Sequence, residues 1–181
     1  ITLNTITSGA VIYYEITTDG AEPKEPVQNE SMTFSAGQTI TVNQTTKIKA
    51  FAVKNRMVSA TTSLVYKALP QLSAPSASIA TGSLVGNGSK VTLKTKSVTD
   101  LDTGVASALS AVFTSTEIAN ITYAYTLDGS DPVAAVATGK ALYGNSVLIN
   151  GKAGDTVVVA AYAMLKGATH SDVSYNSYTI A

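Results

Sequence analysis

One pattern of residues occurs twice along this chain at the same spacing. The first copy reads I-Y-Y-E-I-T-T-D-G-A-E-P from Ile12 to Pro23, and the second reads I-T-Y-A-Y-T-L-D-G-S-D-P from Ile121 to Pro132. Three apolar residues alternate with others in each copy, Ile12, Tyr14 and Ile16 in the first and Ile121, Tyr123 and Tyr125 in the second, and an Asp-Gly pair follows. This is typical of a half-buried strand that leads into a tight turn. A repeat of this kind predicts two copies of one β-rich module.

Shorter matches on both sides of this pattern extend the repeat. Downstream, A-F-A-V at Ala50–Val53 corresponds to A-Y-A-M at Ala161–Met164. Upstream, I-T-L-N-T at Ile1–Thr5 corresponds to V-T-L-K-T at Val91–Thr95. These matches predict a first module at residues 1–67, a linker at 68–75 and a second module at 76–181. Two prolines in the linker are expected to stiffen it and to interrupt strand pairing.

The two modules are not expected to be identical. The second contains an insertion at 96–120, in which residues 103–118 carry apolar side chains at roughly helical spacing. We interpret residues 103–118 as a long loop that includes one helical turn, with a helix over this stretch as the alternative. The second module also has a strand-like segment at 77–80, before Val91, and nothing corresponding precedes Ile1. We therefore expect the first strand of the first module to be absent from this sequence, with the alternative that residues upstream of Ile1 supply it.

The composition favours β structure and excludes several classes of function. Thr, Ser, Ala, Val, Ile and Tyr dominate, and β-branched and aromatic residues prefer sheets. Twelve basic residues balance twelve acidic ones, so there is no basic field for nucleic acid. The absence of cysteine excludes disulfides and thiolate metal sites. No apolar run approaches the roughly 18–20 residues of a membrane helix, so membrane insertion is not expected.

The repeated residues resemble the chitobiase/β-hexosaminidase C-terminal type of module. The resemblance rests on a Gly-Ala-x-Ile-Tyr-Tyr strand, an Asp-Gly turn followed by proline, and a Lys-Ile-x-Ala-x-Ala strand. In this chain the matching segments are 9–14, 19–23 and 47–52 in the first module, and 121–123, 128–132 and 161–163 in the second. The resemblance implies two tandem immunoglobulin/fibronectin-III-like β-sandwiches and implies no catalytic residues.

The two Asp-Gly turns are predicted to have a structural role. Glycine supplies the positive φ of a tight turn, aspartate hydrogen-bonds the turn backbone, and proline fixes the exit. The predicted turn residues are Asp19, Gly20, Pro23, Asp128, Gly129 and Pro132.

Candidate chemical sites are few, and we expect no enzyme, cofactor or metal. His170 is the one histidine, and with Asp172 and a serine it would make a triad only beside a positioned nucleophile, so we interpret it as a polar loop residue. Asp100–Gly104 begins like a calcium loop but lacks later ligands, so loop polarity is the preferred interpretation and weak calcium binding the alternative.

The remaining candidates are aromatic side chains on the outer faces of the predicted strands. Tyr13, Phe51, Tyr143 and Tyr162 are expected to be exposed and available for surface contacts. Our first hypothesis is an extracellular or cell-surface structural module, in a filament, a surface layer or an adhesin stalk. Its partners would be copies of itself or other surface-protein domains, which pair through sheet edges. The alternative is an accessory module that binds glycans in a secreted glycan-active protein.

Overall fold

The computed structural model describes residues 1–181 and divides them into two compact units. The first unit is Ile1–Ala68 and the second is Leu69–Ala181. Strands form most of the regular structure in both, and the longest helix has six residues. No helix is both long enough and apolar enough to span a membrane.

The first unit contains one antiparallel sheet. Its strands are β1 (Val11–Thr17), β2 (Met32–Phe34), β3 (Thr46–Lys54), β4 (Met57–Val58) and β5 (Thr62–Tyr66). The order across the sheet is β2-β1-β3, and both β4 and β5 pair with the free side of β3. The alternation read from the sequence therefore becomes two faces of this sheet.

The inner face of this sheet is covered by extended chain rather than by a second regular sheet. Ile12, Tyr14 and Ile48 form a buried cluster with Leu3. The Ile1 carbonyl accepts a hydrogen bond from the Ile40 N–H at 2.9 Å, which ties the segment that carries Leu3 to the chain around Ile40. The first unit is therefore a sandwich whose second layer consists of two extended segments.

The second unit contains eleven strands and two short helices. Its elements are β6 (Gln71–Leu72), β7 (Ser76–Ala77), β8 (Ser83–Val85), β9 (Ser89–Lys94), β10 (Ser97–Thr99), β11 (Ala106–Ala108), α1 (Ser115–Ala119), β12 (Thr122–Thr126), α2 (Pro132–Ala137), β13 (Leu142–Tyr143), β14 (Ser146–Ile149), β15 (Thr156–Met164) and β16 (Ser174–Ile180).

These strands form three sheets. The orders are β13-β12-β15-β16-β8, β14-β9-β7 and β11-β10-β6. Side chains from the first two sheets fill one core, in which Val91, Val147, Val159 and Tyr178 are essentially inaccessible to solvent. The predicted fold class is confirmed: the chain is all-β, and its units are β-sandwiches of the immunoglobulin/fibronectin-III-like type.

The segment 96–120 is more regular than a long loop. Residues 97–99 and 106–108 pair as a hairpin, and a 3-10 turn at Leu109–Ala111 precedes α1. Thr114 and Glu117 form a reciprocal capping box that starts α1. Leu109 and Phe113 are buried in the core of the second unit, which fixes this segment in place. The long-loop interpretation of residues 103–118 was therefore wrong where β11 forms, and the helical turn expected within it is present as the 3-10 turn and α1.

Part of the expected linker also belongs to the second unit. Val98 and Thr99 of β10 pair with Leu72 and Gln71, so residues 71 and 72 are a strand rather than a spacer. Leu72 is buried in the same core as Val98. Burial of this apolar side chain is favourable, and the two flanking prolines do not prevent it.

The two units differ in the register of one strand pair. Tyr14 lies opposite Ala50 in the first unit, whereas Tyr123 lies opposite Ala163 in the second. The sequence match places Tyr123 with Tyr14 but Ala161 with Ala50, so the second pair is displaced by two residues. Because side chains alternate with a period of two, this shift leaves every side chain on its expected face.

Candidate functional site

The Asp-Gly turn of the first unit is closed by two side chains. Asp19 Oδ1 accepts a hydrogen bond from the Ala21 N–H at 3.0 Å, and the Thr17 hydroxyl donates to the Ala21 carbonyl at 2.7 Å. Gly20 between them has φ of +83°, which a residue with a Cβ adopts only with strain. The structure thus places Asp19 and Gly20 in a turn-forming role.

The turn of the second unit has the same bonds and two more. Asp128 Oδ1 accepts from the Ser130 N–H at 3.0 Å and from its hydroxyl at 2.6 Å, and the Thr126 hydroxyl donates to the Ser130 carbonyl at 2.6 Å. The bonds from Ser130 lower the pKa of Asp128 below its ordinary value. The Gly129 N–H donates to the Val158 carbonyl at 2.9 Å, which ties this turn to β15.

The chain after each turn folds back over the outer face of its sheet. Pro23 and Pro132 are both buried at the start of this return. In the first unit the returning chain is a loop, and the Tyr13 hydroxyl donates to Asn29 Oδ1 on it at 3.1 Å. Ion pairs of Glu22 with Lys47 and of Glu25 with Lys49 hold the same loop against β3.

In the second unit the returning chain is α2. Asp131 Oδ1 caps it by accepting from the Val133 N–H at 2.9 Å, and Pro132 occupies its first turn. Ala135 is buried where α2 packs on β12 and β15. Sequence reasoning missed this helix, although Asp-Pro before an alanine-rich run is a recognisable start signal.

The returning loop of the first unit and α2 of the second cover these outer faces. Three of the four aromatic side chains that were expected to be exposed are therefore buried. Tyr13 and Phe51 stack at 5.6 Å between ring centroids, and each is only 8% exposed. Tyr162 is 4% exposed and meets the His170 ring edge-on at 5.4 Å. Tyr143 alone is open, at 60% exposure. Alternation identifies which face a side chain occupies, but it does not show whether another segment covers that face.

An open groove of about 670 Å³ lies beside the turn of the second unit, between α2 and β13. Leu127 and Leu142 contribute apolar walls, and Asp128, Asp131 and Lys140 contribute charged ones. Burial, followed by the nearby Tyr143 and Asp131, raises the pKa of Tyr162, so its hydroxyl stays neutral. The groove can offer hydrogen bonds and an apolar surface, and its carboxylates Asp128 and Asp131 already accept the hydrogen bonds of the turn and of the α2 cap.

His170 is not arranged as a catalytic base. Its Nδ1 lies 2.9 Å from the Ser171 carbonyl. The Ser171 hydroxyl is fully buried, where it accepts from the Ala163 N–H and donates to the Asp172 carbonyl, each at 2.8 Å. Asp172 accepts from the Gln71 side chain at 3.3 Å. The serine next to the histidine therefore holds β15 to the chain before β16.

The calcium-like segment is a hairpin turn. Asp100 Oδ1 accepts from the N–H groups of Asp102 and Thr103 at 2.8 and 2.9 Å, and the Thr103 bond is the main reason that the Asp100 pKa is lowered. This carboxylate thus closes the connection between β10 and β11. No group of three or more His, Cys, Asp or Glu side chains in the chain is arranged to hold a metal ion.

The clearest difference between the units lies at one edge of each sandwich. In the second unit, β7 pairs with β9 and then β8 runs parallel to β16, so residues 76–85 close this side of the sandwich. The Tyr178 hydroxyl donates to the Ile79 carbonyl at 3.0 Å and holds the crossing chain between the two sheets.

The same side of the first unit is open. β5 pairs only with β3, and a cavity of about 250 Å³ lies between β5 and the segment Ile1–Thr5. Leu3, Ala52 and Leu64 form its apolar wall. Tyr66 corresponds in sequence to Tyr178 of the second unit and pairs with Thr46 as Tyr178 pairs with Val157, but its hydroxyl makes no hydrogen bond. We call this surface, formed by Ile1–Thr5, β5 and the cavity between them, the open edge.

The comparisons with known proteins agree with this architecture. Residues 1–66 match the family model of the chitobiase/beta-hexosaminidase C-terminal domain, which is a non-catalytic module. The match ends within the first unit, and it confirms the predicted resemblance there. A comparison with curated proteins gave no match.

Two solved structures are similar over most of the chain. One contains the fibronectin(III)-like modules of Clostridium thermocellum CbhA, with a TM-score of 0.41, 13% identity, and coverage of 97% of this chain and 82% of that one. The other is the chicken interferon gamma receptor alpha chain, with a TM-score of 0.29, 10% identity, and coverage of 97% and 88%. The fold assignment rests on the sheets of this chain rather than on these two similarities.

Proposed function

We propose that this chain is a non-catalytic structural module of an extracellular or cell-surface protein, and that it assembles by pairing its open edge with a strand of a neighbouring chain. The observation that supports the proposal is β5, which pairs only with β3 and carries Val65 at 57% exposure. A filament subunit, a surface-layer subunit and an adhesin stalk would all use such an edge.

Physical chemistry favours pairing at this position. A sheet edge presents unpaired N–H and C=O groups, which are a template for another strand. Val65 on β5 is 57% exposed, and no charged side chain stands on β5 to discourage pairing. The net charge is zero, so repulsion between copies is weak.

We propose a non-catalytic function because the polar side chains that could carry chemistry already have structural partners. Asp19, Asp100, Asp128 and Asp131 close turns or cap α2, and Ser171 links two strands. The extracellular setting is supported by the similarity of the first unit to a domain of chitobiases and hexosaminidases.

Light scattering over a range of concentrations, with electron microscopy, tests the assembly. We expect the purified chain to associate as its concentration rises, and Val65→Lys to abolish this because a charge on an edge strand opposes pairing. Leu84→Lys is the matched control, since Leu84 is 69% exposed on the edge strand β8 of the second unit. A wild-type chain that stays monomeric at every concentration would refute assembly by this edge.

A second function, an accessory module that binds glycans, is favoured by one observation. Tyr143 is exposed close to the groove lined by Asp131 and Lys140, and an aromatic face beside hydrogen-bonding groups suits a sugar ring. A chitin pull-down and a glycan array test it. Binding lost in Tyr143→Ala but kept in Tyr175→Ala, a similarly exposed tyrosine, would favour this function. The absence of binding by the wild-type chain would exclude it for the glycans tried.

A further inference from the structure

We infer that Asp19 is the site at which the folded chain is modified by spontaneous rearrangement of aspartate to isoaspartate, which adds one carbon to the backbone. An aspartate or asparagine is directly followed by glycine at four places, 19–20, 87–88, 128–129 and 150–151. Glycine makes such pairs reactive, because no side chain shields the backbone nitrogen that attacks. The four pairs differ in whether this nitrogen is free.

The reaction starts at the backbone nitrogen of the glycine. This nitrogen gives up its proton to water and bonds to the side-chain carbonyl carbon of the preceding residue. Water leaves from a protonated aspartic acid, or ammonia from asparagine, and a cyclic imide remains. Water then opens the imide at either carbonyl, which yields aspartate or isoaspartate. For an aspartate the water that was lost is regained, so the rearrangement needs no other reactant.

Three of the four glycine N–H groups already donate a hydrogen bond to another segment of the chain. These bonds run from Gly88 to the Ile149 carbonyl at 2.8 Å, from Gly129 to the Val158 carbonyl at 2.9 Å, and from Gly151 to Asn87 Oδ1 at 3.1 Å. Each bond must break before its nitrogen can lose the proton and attack. The pairs at 87–88, 128–129 and 150–151 are therefore protected in the folded chain.

The Gly20 N–H makes no hydrogen bond. Asp19 and Gly20 are both exposed, so water reaches the carboxyl group and the nitrogen. No atom outside the turn lies within 4 Å of the position that a Cβ on Gly20 would take, so no neighbouring segment restrains this residue. The Asp19 carboxylate is held by one bond, from the Ala21 N–H at 3.0 Å. Asp19 thus has the unprotected nitrogen that the other three pairs lack.

The equivalent aspartate of the second unit is protected in a second way. Asp128 Oδ1 accepts bonds from both the N–H and the hydroxyl of Ser130, at 3.0 and 2.6 Å. These bonds lower the pKa of Asp128 and keep its carboxylate ionised. An ionised carboxylate lacks the proton with which its oxygen would leave as water. The same Asp-Gly pair is therefore inert in the second unit and reactive in the first.

Isoaspartate at position 19 would alter the turn that Asp19 now closes. The added backbone carbon would move the carboxylate away from the Ala21 N–H and would lengthen the turn that the Thr17 hydroxyl closes on the Ala21 carbonyl. Glu22, which pairs with Lys47, follows directly. We expect the loop after the turn to loosen from β3. The modification needs no partner and does not depend on how the chain assembles.

Ageing of the intact chain at about pH 5, where part of the carboxyl groups are protonated, tests the assignment. Isoaspartate is measured with an isoaspartyl methyltransferase and S-adenosylmethionine, and it is located by mass spectrometry of proteolytic fragments. We expect it to form at Asp19 about fivefold faster than at Asp128, the rate equivalent of one backbone hydrogen bond. In guanidinium chloride the two aspartates should react at similar rates, because both glycine nitrogens are then free.

Two variants, each checked for folding by circular dichroism, separate the reactive group from its protection. Asp19→Ser has no carboxyl carbon to attack, and its hydroxyl can still accept from the Ala21 N–H, so isoaspartate should disappear while the turn is kept. Asn87→Ala removes the acceptor of the Gly151 N–H. Asn150 should then begin to lose ammonia, which raises the mass of the fragment that contains it.

The folded wild-type chain decides the assignment. Isoaspartate at Asp19 that exceeds modification at the other three pairs would support it. Modification of Asp128, Asn87 or Asn150 as fast as that of Asp19 would overturn it, and so would isoaspartate that forms at Asp19 only in the unfolded chain. An Asn150 that stays intact in Asn87→Ala would contradict protection by the hydrogen bond.

Discussion

The first and second units share the strand orders β2-β1-β3-β5 and β13-β12-β15-β16, but they differ in what surrounds these four strands. The second unit adds β8 to the same sheet and places β14, β9 and β7 opposite it. The first unit has only extended chain there, joined by the pairing of Ile1 with Ile40. The common strands thus define the fold, and the surrounding segments decide how much of each sheet is covered.

The largest expected difference concerns equivalent core leucines. Leu93 lies within the closed core of the second unit and is 2% exposed, so Leu93→Ala should cost about 2–5 kcal/mol of unfolding free energy. Leu3, its equivalent in the first unit, borders an existing cavity, so Leu3→Ala should cost about 2 kcal/mol, at the low end of that range. Calorimetry of both variants measures the difference, and equal costs would show that the first core is as closed as the second.

The turn glycines should respond differently to a methyl group. Both have positive φ, so each alanine variant should lose about 1–2 kcal/mol. A Cβ on Gly129 would also lie 3.0 Å from Val158 Cγ1, whereas nothing lies within 4 Å of one on Gly20. We expect Gly129→Ala to cost roughly 2–4 kcal/mol in total and to exceed Gly20→Ala. Thermal unfolding of the two variants checks this order, which the reverse ranking would contradict.

The two equivalent tyrosines provide a third comparison. Tyr178→Phe removes the hydroxyl that bonds the half-buried Ile79 carbonyl, so it should cost about 1 kcal/mol. Tyr66→Phe should change the stability of the unassembled chain very little, because its hydroxyl has no partner to lose. Chemical denaturation of both variants measures the contrast. A comparable loss at Tyr66 would mean that this hydroxyl is already engaged.

The smallest expected effect is a pH dependence at the turn of the second unit. The folded-state pKa of Asp128 is lowered below its ordinary value of 3.8, so its contribution is present above that value and is lost as the pH falls through the folded pKa. The melting temperature should therefore drop less between pH 6 and pH 3 in Asp128→Asn than in the wild type. An identical drop would show that other carboxylates control acid unfolding.

Much of the architecture could be predicted from the sequence. Alternation along Ile12–Thr17 and Thr122–Thr126, followed by Asp-Gly, was sufficient because turn chemistry and side-chain period are local properties. The strand at Gln71–Leu72 was missed because its pairing partner β10 is distant in sequence. The hairpin of β10 and β11 was missed because each strand has only three residues, too few for an alternating pattern to be recognised. The two-residue register difference was missed because it changes no side chain from one face to the other.

The amino-acid sequence by itself determined that the chain folds into β-sandwich units and where its tight turns lie, because strand period, glycine conformation and aspartate hydrogen bonding act between near neighbours. Tertiary structure decided what is accessible. It buried Tyr13, Phe51 and Tyr162 beneath a loop and a helix, and it left Tyr143 exposed. These outcomes depend on which distant segments cover a face of the sheet. The favourable free energy of burying that face is gained only when the whole unit packs.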